Sequence, residues 1–175
     1  MRDIGIPYPS LALPPPGSED DPAAFLAWLK DAIPMAGNLG TGEMQRDGEH
    51  LSWTLELRPN LNDKGTGFGG ALAAQTTLLG WCWVTLWLRR HGMARDVVVA
   101  EASQRFLAPV TDDYWLRCSP ASPDGPDKLT QQLSERDRGR IRLVQQLWCG
   151  DTLCLEAEGS YAVLPKRQAG VSKAG

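Results

Sequence analysis

The feature that most constrains the fold is an uncharged stretch at residues 65–88, which follows a glycine-rich loop and ends before two arginines and a histidine. Cations suit the carboxyl end of a helix, so the pattern predicts one helix of about 24 residues from Phe68 to Gly92. A bilayer needs about 20 apolar residues, but here only residues 78–88 are densely apolar. We therefore expect a helix buried on nearly all sides by its own protein, and no membrane span.

The segments around this helix have the patterns of short strands and one further helix. Proline-rich residues 1–21 predict an extended arm, and a short amphipathic helix then begins at Pro22 and stops at Pro34. A turn at Asp47-Gly48 joins the first two strands. The predicted strands are residues 35–47, 49–58, 97–107, 114–119, 128–135, 141–149 and 152–164.

One long apolar helix among about six mostly antiparallel strands has one economical packing, in which the sheet curls around the helix and buries it. The predicted fold is therefore α+β with the hotdog architecture. We expect a single domain at residues 22–165, an arm at 1–21 and a tail at 166–175. Such a sheet leaves an edge strand exposed, which favours edge-to-edge pairing of two copies in a homodimer.

Charge and cysteine content narrow the possible functions. The chain has 18 Lys and Arg against 21 Asp and Glu, a net charge of −3, whereas a nonspecific nucleic-acid binder needs surplus cations. Its four cysteines form no CxxC pair and it has two histidines, so we expect no metal site and no cofactor. Its first residues lack the apolar segment of a signal peptide, so we expect a cytoplasmic protein with reduced thiols.

Residues 59–70 form a polar, glycine-rich loop that leads directly into the buried helix. The first turn of a helix has N–H groups without internal partners, and the helix dipole adds positive potential. Such a corner can hold a carbonyl oxygen as it becomes an oxyanion. Phe68, Gly69 and Gly70 would be the donors, with Thr66 beside them as a further binding residue. Alternatively, the glycines only allow tight packing of the helix on the sheet.

This loop resembles the signature of a known family. Leu61-Asn62, Gly65 and Phe68-Gly69-Gly70 are similar to the Asn, Gly and His-Gly-Gly positions that open the central helix of hotdog-fold thioesterases. The closer resemblance, over residues 33–165, is to the YiiD C-terminal, thioesterase-like family, through residues 61–70, Gly80-Trp81, Arg105-Phe106-Leu107 and Pro109-Val110. It implies a homodimer or dimer of dimers that binds acyl-CoA or acyl-carrier-protein thioesters at the subunit interface. The thioester carbonyl would lie at the amino end of the central helix.

Two positions depart from the family pattern. Many hotdog thioesterases carry an Asp or Glu partway along the central helix, and the aligned position here is Thr77. The chain has no acid between residues 65 and 88, and Phe68 replaces the histidine of His-Gly-Gly. Activation of water would therefore need another group.

Four polar residues are candidates for that role. Asn62 could orient water or the thioester, or it could form an Asx turn. Asp63 is acidic and near the helix, although a loop Asp beside a Lys is usually a solvated pair. Glu101 lies among apolar residues of a predicted strand, where a partly buried carboxylate could act as general base or pair with Arg105. Thr77 could hold a water or bond its own preceding turn.

The leading hypothesis is a homodimeric hydrolase of acyl thioesters. Gly69 and Gly70 would stabilise the oxyanion, and Asn62 and Glu101 would assist. The absence of a helix acid favours a noncatalytic acyl-thioester-binding protein as the alternative. A dehydratase of hydroxyacyl thioesters is a weaker hypothesis, because that chemistry usually needs a histidine with an acid and neither histidine is placed for it.

Overall fold

The chain folds into three helices and one six-stranded sheet in the computed structural model, which describes residues 3–166. The helices are α1 (Pro22–Ala32), α2 (Gly69–Arg90) and α3 (Gly125–Arg136), with 3-10 turns at Pro34–Asn38 and Arg58–Asn60. The strands are β1 (Thr41–Asp47), β2 (His50–Leu55), β3 (Val97–Phe106), β4 (Tyr114–Pro120), β5 (Gly139–Cys149) and β6 (Thr152–Val163). Beyond residue 166, the predicted tail lies outside the described residues.

The sheet wraps around α2. Its strands pair in the order β1-β2-β4-β5-β6-β3, and all neighbouring pairs are antiparallel. α2 packs against β2, β3, β4, β5 and β6, and the facing side chains form one apolar core. Fully buried members of this core include Trp53, Leu79, Trp83, Leu116 and Leu143. The predicted α+β hotdog fold, with a long central helix and a short amino-terminal helix, is confirmed.

The central helix is apolar because it is a core element. By length and composition Gly69–Arg90 could cross a bilayer, but 67% of its most apolar window is buried inside the protein. Its last turn carries Arg89 and Arg90, where cations offset the negative end of the helix dipole. The helix therefore has the burial expected of a core helix together with favourable charges at its carboxyl end.

Gly80 allows β6 to approach α2 closely. A Cβ atom at this position would lie 2.0 Å from Tyr161 Oη and 2.6 Å from Gln145 Nε2. The space left by the missing side chain lets the Tyr161 hydroxyl donate a hydrogen bond to the Thr77 carbonyl oxygen at 2.9 Å. Burial raises the pKa of Tyr161, so the phenol stays neutral and keeps its proton for this bond.

Two of the predicted strands are wrong in whole or in part. Residues 128–135 belong to α3, in which Leu129 and Leu133 are the buried positions. Their spacing of four fits one face of a helix and also one face of a strand, so periodicity alone misassigned the segment. The beginning of the predicted strand 35–47 is the 3-10 turn Pro34–Asn38, and β1 starts only at Thr41.

The proline-rich arm lies against the helices of its own chain. The Arg89 guanidinium forms a two-point ion pair with the Asp20 carboxylate at 2.8 Å and donates to two carbonyl oxygens of the arm. The Arg89 and Asp20 side chains are only 8% and 7% exposed. Trp28 Nε1 of α1 donates to the Pro9 carbonyl oxygen at 2.9 Å. The arm is thus fastened to both α1 and α2.

Candidate functional site

The first turn of α2 presents free backbone N–H groups. Phe68, which the sequence suggested as a donor, donates its N–H to the Asn60 carbonyl oxygen at 2.7 Å and so is used within the chain. The next three backbone N–H groups belong to Gly69, Gly70 and Ala71, and they have no hydrogen-bond partner in residues 3–166. The donors available to a ligand therefore begin one residue later than the sequence suggested.

Two aromatic rings flank these N–H groups. A Cβ at Gly69 would lie 3.5 Å from the Phe106 ring, and one at Gly70 would lie 2.7 Å from the Phe68 ring. Both phenylalanines are 55% exposed. The positive end of the α2 dipole points to this corner, and no side chain of the described chain caps it. The corner can therefore hold a partly negative oxygen next to an apolar group.

Asn62 organises the loop that leads into α2. Its Oδ1 accepts the N–H groups of Lys64 at 2.8 Å and Thr66 at 3.1 Å, and its Nδ2 donates to Thr66 Oγ1 at 2.9 Å and to the Gly67 carbonyl oxygen at 3.3 Å. These four bonds use the full hydrogen-bonding capacity of the amide. Asn62 thus adopts the Asx-type turn that the sequence left open as its alternative role, and Thr66 is tied into the same bonds.

Asp63 is the carboxylate nearest in sequence to the free N–H groups. Lys64 Nζ lies 3.0 and 3.1 Å from its two carboxylate oxygens, and both side chains are largely exposed. Such a pair in water contributes little to stability. The geometry matches the solvated pair that was the alternative for Asp63 from the sequence.

The expectation that the Glu101 carboxylate is partly buried is wrong, because the residue is exposed. Val99 lies opposite Tyr161 of β6, whereas Glu101 lies opposite Ser160, so a β-bulge at Ala100 interrupts the register. Because of the extra residue, each side chain of β3 after Ala100 lies on the face of the sheet opposite to the one that regular alternation would give it. Glu101 is exposed on the outer face of the sheet, away from α2.

The proposed pairing of Glu101 with Arg105 is not found either. Arg105 pairs instead with Glu156 of β6. Both Arg105 and Glu156 lie on the outer face with Glu101, since the pairs Glu101 with Ser160 and Arg105 with Glu156 are four β3 residues apart. Neither predicted role of Glu101 is therefore supported by its surroundings.

Thr77 lies half-buried on the side of α2 that faces β3. Gln104 Nε2 approaches Thr77 Oγ1 at 3.5 Å, and the Thr77 carbonyl oxygen accepts the bond from Tyr161. Sequence reasoning missed both Gln104 and Tyr161 as neighbours of this position. The alternation of side chains along β3 was the only sequence signal that could have placed Gln104 on a face of the sheet. The bulge at Ala100 reverses that alternation before Gln104 is reached.

An apolar groove of about 270 Å³ begins one helical turn beyond Gly70. Its floor is the exposed side of α2, one wall is the segment 33–39, and Val99 of β3 contributes to the other. The residues of α2 that line it are Ala74, Thr77, Leu78 and Trp81. The free N–H groups and the groove therefore lie in line on the same helix.

His91, Cys82 and Cys118 lie away from this corner. His91 is at the opposite end of α2, with its ring 4.3 Å from that of Trp87. Burial raises the pKa of both Cys82 and Cys118, which keeps them as thiols. The described part of the chain contains no group of three or more His, Cys, Asp or Glu that could hold a metal ion.

Comparison with the models of known protein families assigns the chain to one of them. The model of the YiiD_C family, described as "Putative thioesterase (yiiD_Cterm)", matches residues 23–165. The chain belongs to the YiiD_C family. The resemblance inferred from the loop and the helix is thereby confirmed, and the protein is a thioesterase-like hotdog protein.

Solved structures support the assignment of this YiiD_C protein. A "putative thioesterase" from Shewanella oneidensis is 27% identical, with a TM-score of 0.72 over 82% of this chain and 97% of that chain. A Chlorobaculum tepidum protein of unknown function shares the fold at 24% identity and a TM-score of 0.75, over 82% and 94% of the two chains. A "probable thioesterase" from Pseudomonas aeruginosa shares it at 18% identity and 0.66, over 83% and 97%.

Proposed function

We propose that this YiiD_C protein hydrolyses acyl thioesters and binds the thioester carbonyl at the amino end of α2. The observation that carries the proposal is the set of unpartnered N–H groups at Gly69, Gly70 and Ala71. When water attacks a thioester, the carbonyl oxygen becomes an oxyanion, and fixed N–H donors at a helix terminus stabilise that charge. Gly69 and Gly70 act as the principal donors.

The acyl chain lies in the groove along α2. That groove is almost entirely apolar, and Thr77 is the polar side chain among its lining residues. The Phe68 and Phe106 rings, both more than half exposed, cover the approach. Apolar walls with a small number of polar groups are typical of small-molecule sites.

A homodimer completes the site in this proposal. β3 is a terminal strand of the sheet, and its free edge runs beside Val98 and Val99, which are 42% and 40% exposed. Pairing with β3 of a second copy would protect that edge and cover the apolar surface. The thioester would then be bound at the subunit interface, as acyl-CoA or on an acyl carrier protein, in a cytoplasmic protein whose four cysteines stay reduced.

Polar residues near the amino end of α2 and in the groove have the remaining roles in this proposal. Asn62 and Thr66 hold the loop that leaves the N–H groups exposed, so they act by positioning. Thr77, approached by the Gln104 amide, lies about 10 Å along α2 from Gly70 and contacts the acyl chain rather than the reacting carbonyl. Asp63 is the carboxylate of the loop and the general base in this scheme, reached by a change of its exposed rotamer.

The test replaces one N–H group and leaves the helix intact. Gly69 is the first residue of α2, where proline is tolerated, and Phe68 has the extended backbone (ψ 118°) that a following proline requires. Gly69→Pro should lower kcat for acyl-CoA hydrolysis by about 100-fold or more, because loss of one oxyanion donor has this effect. The matched control is Gly69→Ala, which keeps the N–H and adds a Cβ at an ordinary 3.5 Å from Phe106.

The assay is release of free thiol from short, medium, long and aromatic acyl-CoAs, corrected for the four cysteines of the protein. Equal activity of the Pro and Ala variants would refute the oxyanion role of the Gly69 N–H. Asp63→Asn and Asn62→Ala, measured in parallel, should each lower turnover more than binding. Circular dichroism of each variant verifies that α2 is retained.

A noncatalytic acyl-thioester-binding protein is the second candidate. It is favoured by one observation, that the α2 residues lining the groove include no carboxylate. Saturable acyl-CoA binding without turnover in the parent protein would establish it. A dehydratase is less well supported, because His91 is about 30 Å from the free N–H groups along a helix that rises 1.5 Å per residue.

A further inference from the structure

A single tryptophan separates two cavities on the exposed side of α2. The apolar groove ends at Trp81. Beyond Trp81, a wider cleft of about 540 Å³ continues past Thr85 to Arg89 and is roofed by the arm residues Pro7 and Leu11. Trp81 lines both cavities, so it is the partition between them.

The partition is held rigidly from two sides. Trp81 Nε1 donates to the Val97 carbonyl oxygen at 2.9 Å. Its ring stacks on that of Trp28, with centroids 6.4 Å apart and planes inclined by 15°. Trp28 is held in turn by its bond to the Pro9 carbonyl oxygen. The indole of Trp81 therefore has a fixed position that depends on α1 and on the arm.

We infer that Trp81 sets the longest acyl chain that the protein accepts, which rests on the proposed function. From Gly70 to Trp81 the helix rises about 16 Å, and the Trp81 side chain leans back toward the amino end and shortens this space. With bonds of about 1.5 Å in a zigzag, an extended chain advances about 1.3 Å per carbon. The groove therefore accommodates about 8 to 12 carbons, a medium-chain acyl group.

The arm becomes a specificity element in this scheme. Residues 3–21 lie outside the part of the chain that matches the family, which begins at residue 23. Yet Pro9 holds Trp28, and Trp28 supports Trp81 from the side of the cleft. Removing the Trp81 indole would join the groove to the cleft under the arm and extend the space available to the chain.

The experiment measures kcat/KM for saturated acyl-CoAs of about 4 to about 18 carbons with the full chain and with Trp81→Ala. We expect the ratio of long-chain to medium-chain kcat/KM to rise by about tenfold or more in the variant. Trp28→Ala removes the ring that supports Trp81 and widens the cleft beyond it, but it leaves the Trp81 indole in place and should shift the same ratio by less. Thr85→Val, one turn further along the cleft, is the matched control and should leave the profile unchanged.

A second measurement separates this inference from the hydrolysis proposal. Calorimetry gives the affinities of free fatty acids of the same lengths for the parent protein and for Trp81→Ala. If neither protein releases thiol but the variant binds longer chains, hydrolysis fails and the length limit holds. If the parent is active and Trp81→Ala lowers all lengths equally with the same optimum, the length limit is overturned. Absence of both thiol release and fatty-acid binding at every length in both proteins overturns both.

Discussion

Replacing Gly80 with alanine should destabilise the protein through one contact between α2 and β6. The added Cβ would lie 2.0 Å from Tyr161 Oη and 2.2 Å from Tyr161 Cζ, whereas ordinary contacts lie at 3.4 to 4 Å. The Tyr161 ring would have to move by more than 1 Å to relieve this overlap. Tyr161 is fully buried, and a close-packed interior offers no space for that movement.

Three effects determine the magnitude. Overpacking a core costs about 1 to 3 kcal/mol. Displacing the ring also breaks the bond from Tyr161 to the Thr77 carbonyl oxygen, and an unsatisfied buried hydroxyl costs a further 1 to 3 kcal/mol or so. Alanine is favoured over glycine inside a helix by about 1 kcal/mol. We therefore expect Gly80→Ala to lower the free energy of unfolding by about 3 kcal/mol.

The assay is urea unfolding followed by tryptophan fluorescence at one fixed protein concentration, because the stability of the proposed homodimer would depend on concentration. The midpoint should fall while the slope with urea stays unchanged. Gly125→Ala is the matched control, because it is also a helical glycine and its Cβ would lie 3.5 Å from the nearest atom, Ile141 Cδ1. Its midpoint should remain close to that of the parent.

A double-mutant cycle tests the assigned cause. In a Tyr161→Leu background the clash with the ring and the hydroxyl is absent and the contact with Gln145 Nε2 at 2.6 Å is what is left, so Gly80→Ala should lower the stability much less than it does in the parent. An equal loss of stability in both backgrounds would refute the argument, as would a parent-like midpoint for the single Gly80→Ala variant. The first result would mean that the cost arises in α2 itself or at Gln145 of β5 rather than at Tyr161.

The remaining predictions concern the arm and alkaline pH. Asp20→Ala leaves the buried Arg89 guanidinium without its carboxylate partner. The variant should lose about 3 kcal/mol of unfolding free energy in urea, and its arm should become sensitive to limited proteolysis. Unchanged stability and unchanged cleavage would contradict the role of this ion pair in holding the arm. Burial raises the pKa of Tyr114 to about 12 and also raises that of Tyr161, so the unfolded chain loses these protons first as pH rises. Stability should therefore be unaffected by these groups below about pH 10 and fall between about pH 10 and 12. Tyr114→Phe should reduce that fall in urea titrations across this range, and an equal slope in the variant would contradict the assignment.

Local patterns were enough to predict the central helix and its loop. The uncharged run at residues 65–88 and the basic residues after it identify a long buried helix, which the structure has at Gly69–Arg90. The glycine-rich loop before it, together with Gly80-Trp81, Arg105-Phe106-Leu107 and Pro109-Val110, carried the family resemblance. Such features depend on residues that are neighbours along the chain, so a single sequence contains them.

The side-chain environment of the candidate site could be predicted only in part. Asn62 lies within the loop whose turn it forms, so its alternative role could be stated in advance. Gln104 and Tyr161 reach Thr77 from strands that are distant in sequence. Nothing near Thr77 in the sequence indicates these neighbours, because strand pairing determines them.

The sequence by itself determined the order and type of most elements, because hydrophobic period and capping residues are local properties. It misassigned α3, since a spacing of four between Leu129 and Leu133 fits a helix and a strand alike. Only the tertiary structure decided which face of β3 carries Glu101, because one extra residue at Ala100 reverses every later side chain. The tertiary structure also decided the contact of Gly80 with Tyr161 and the ion pair between Arg89 and Asp20. Each of these joins residues far apart in the chain, and their pairing follows from how the sheet closes around α2.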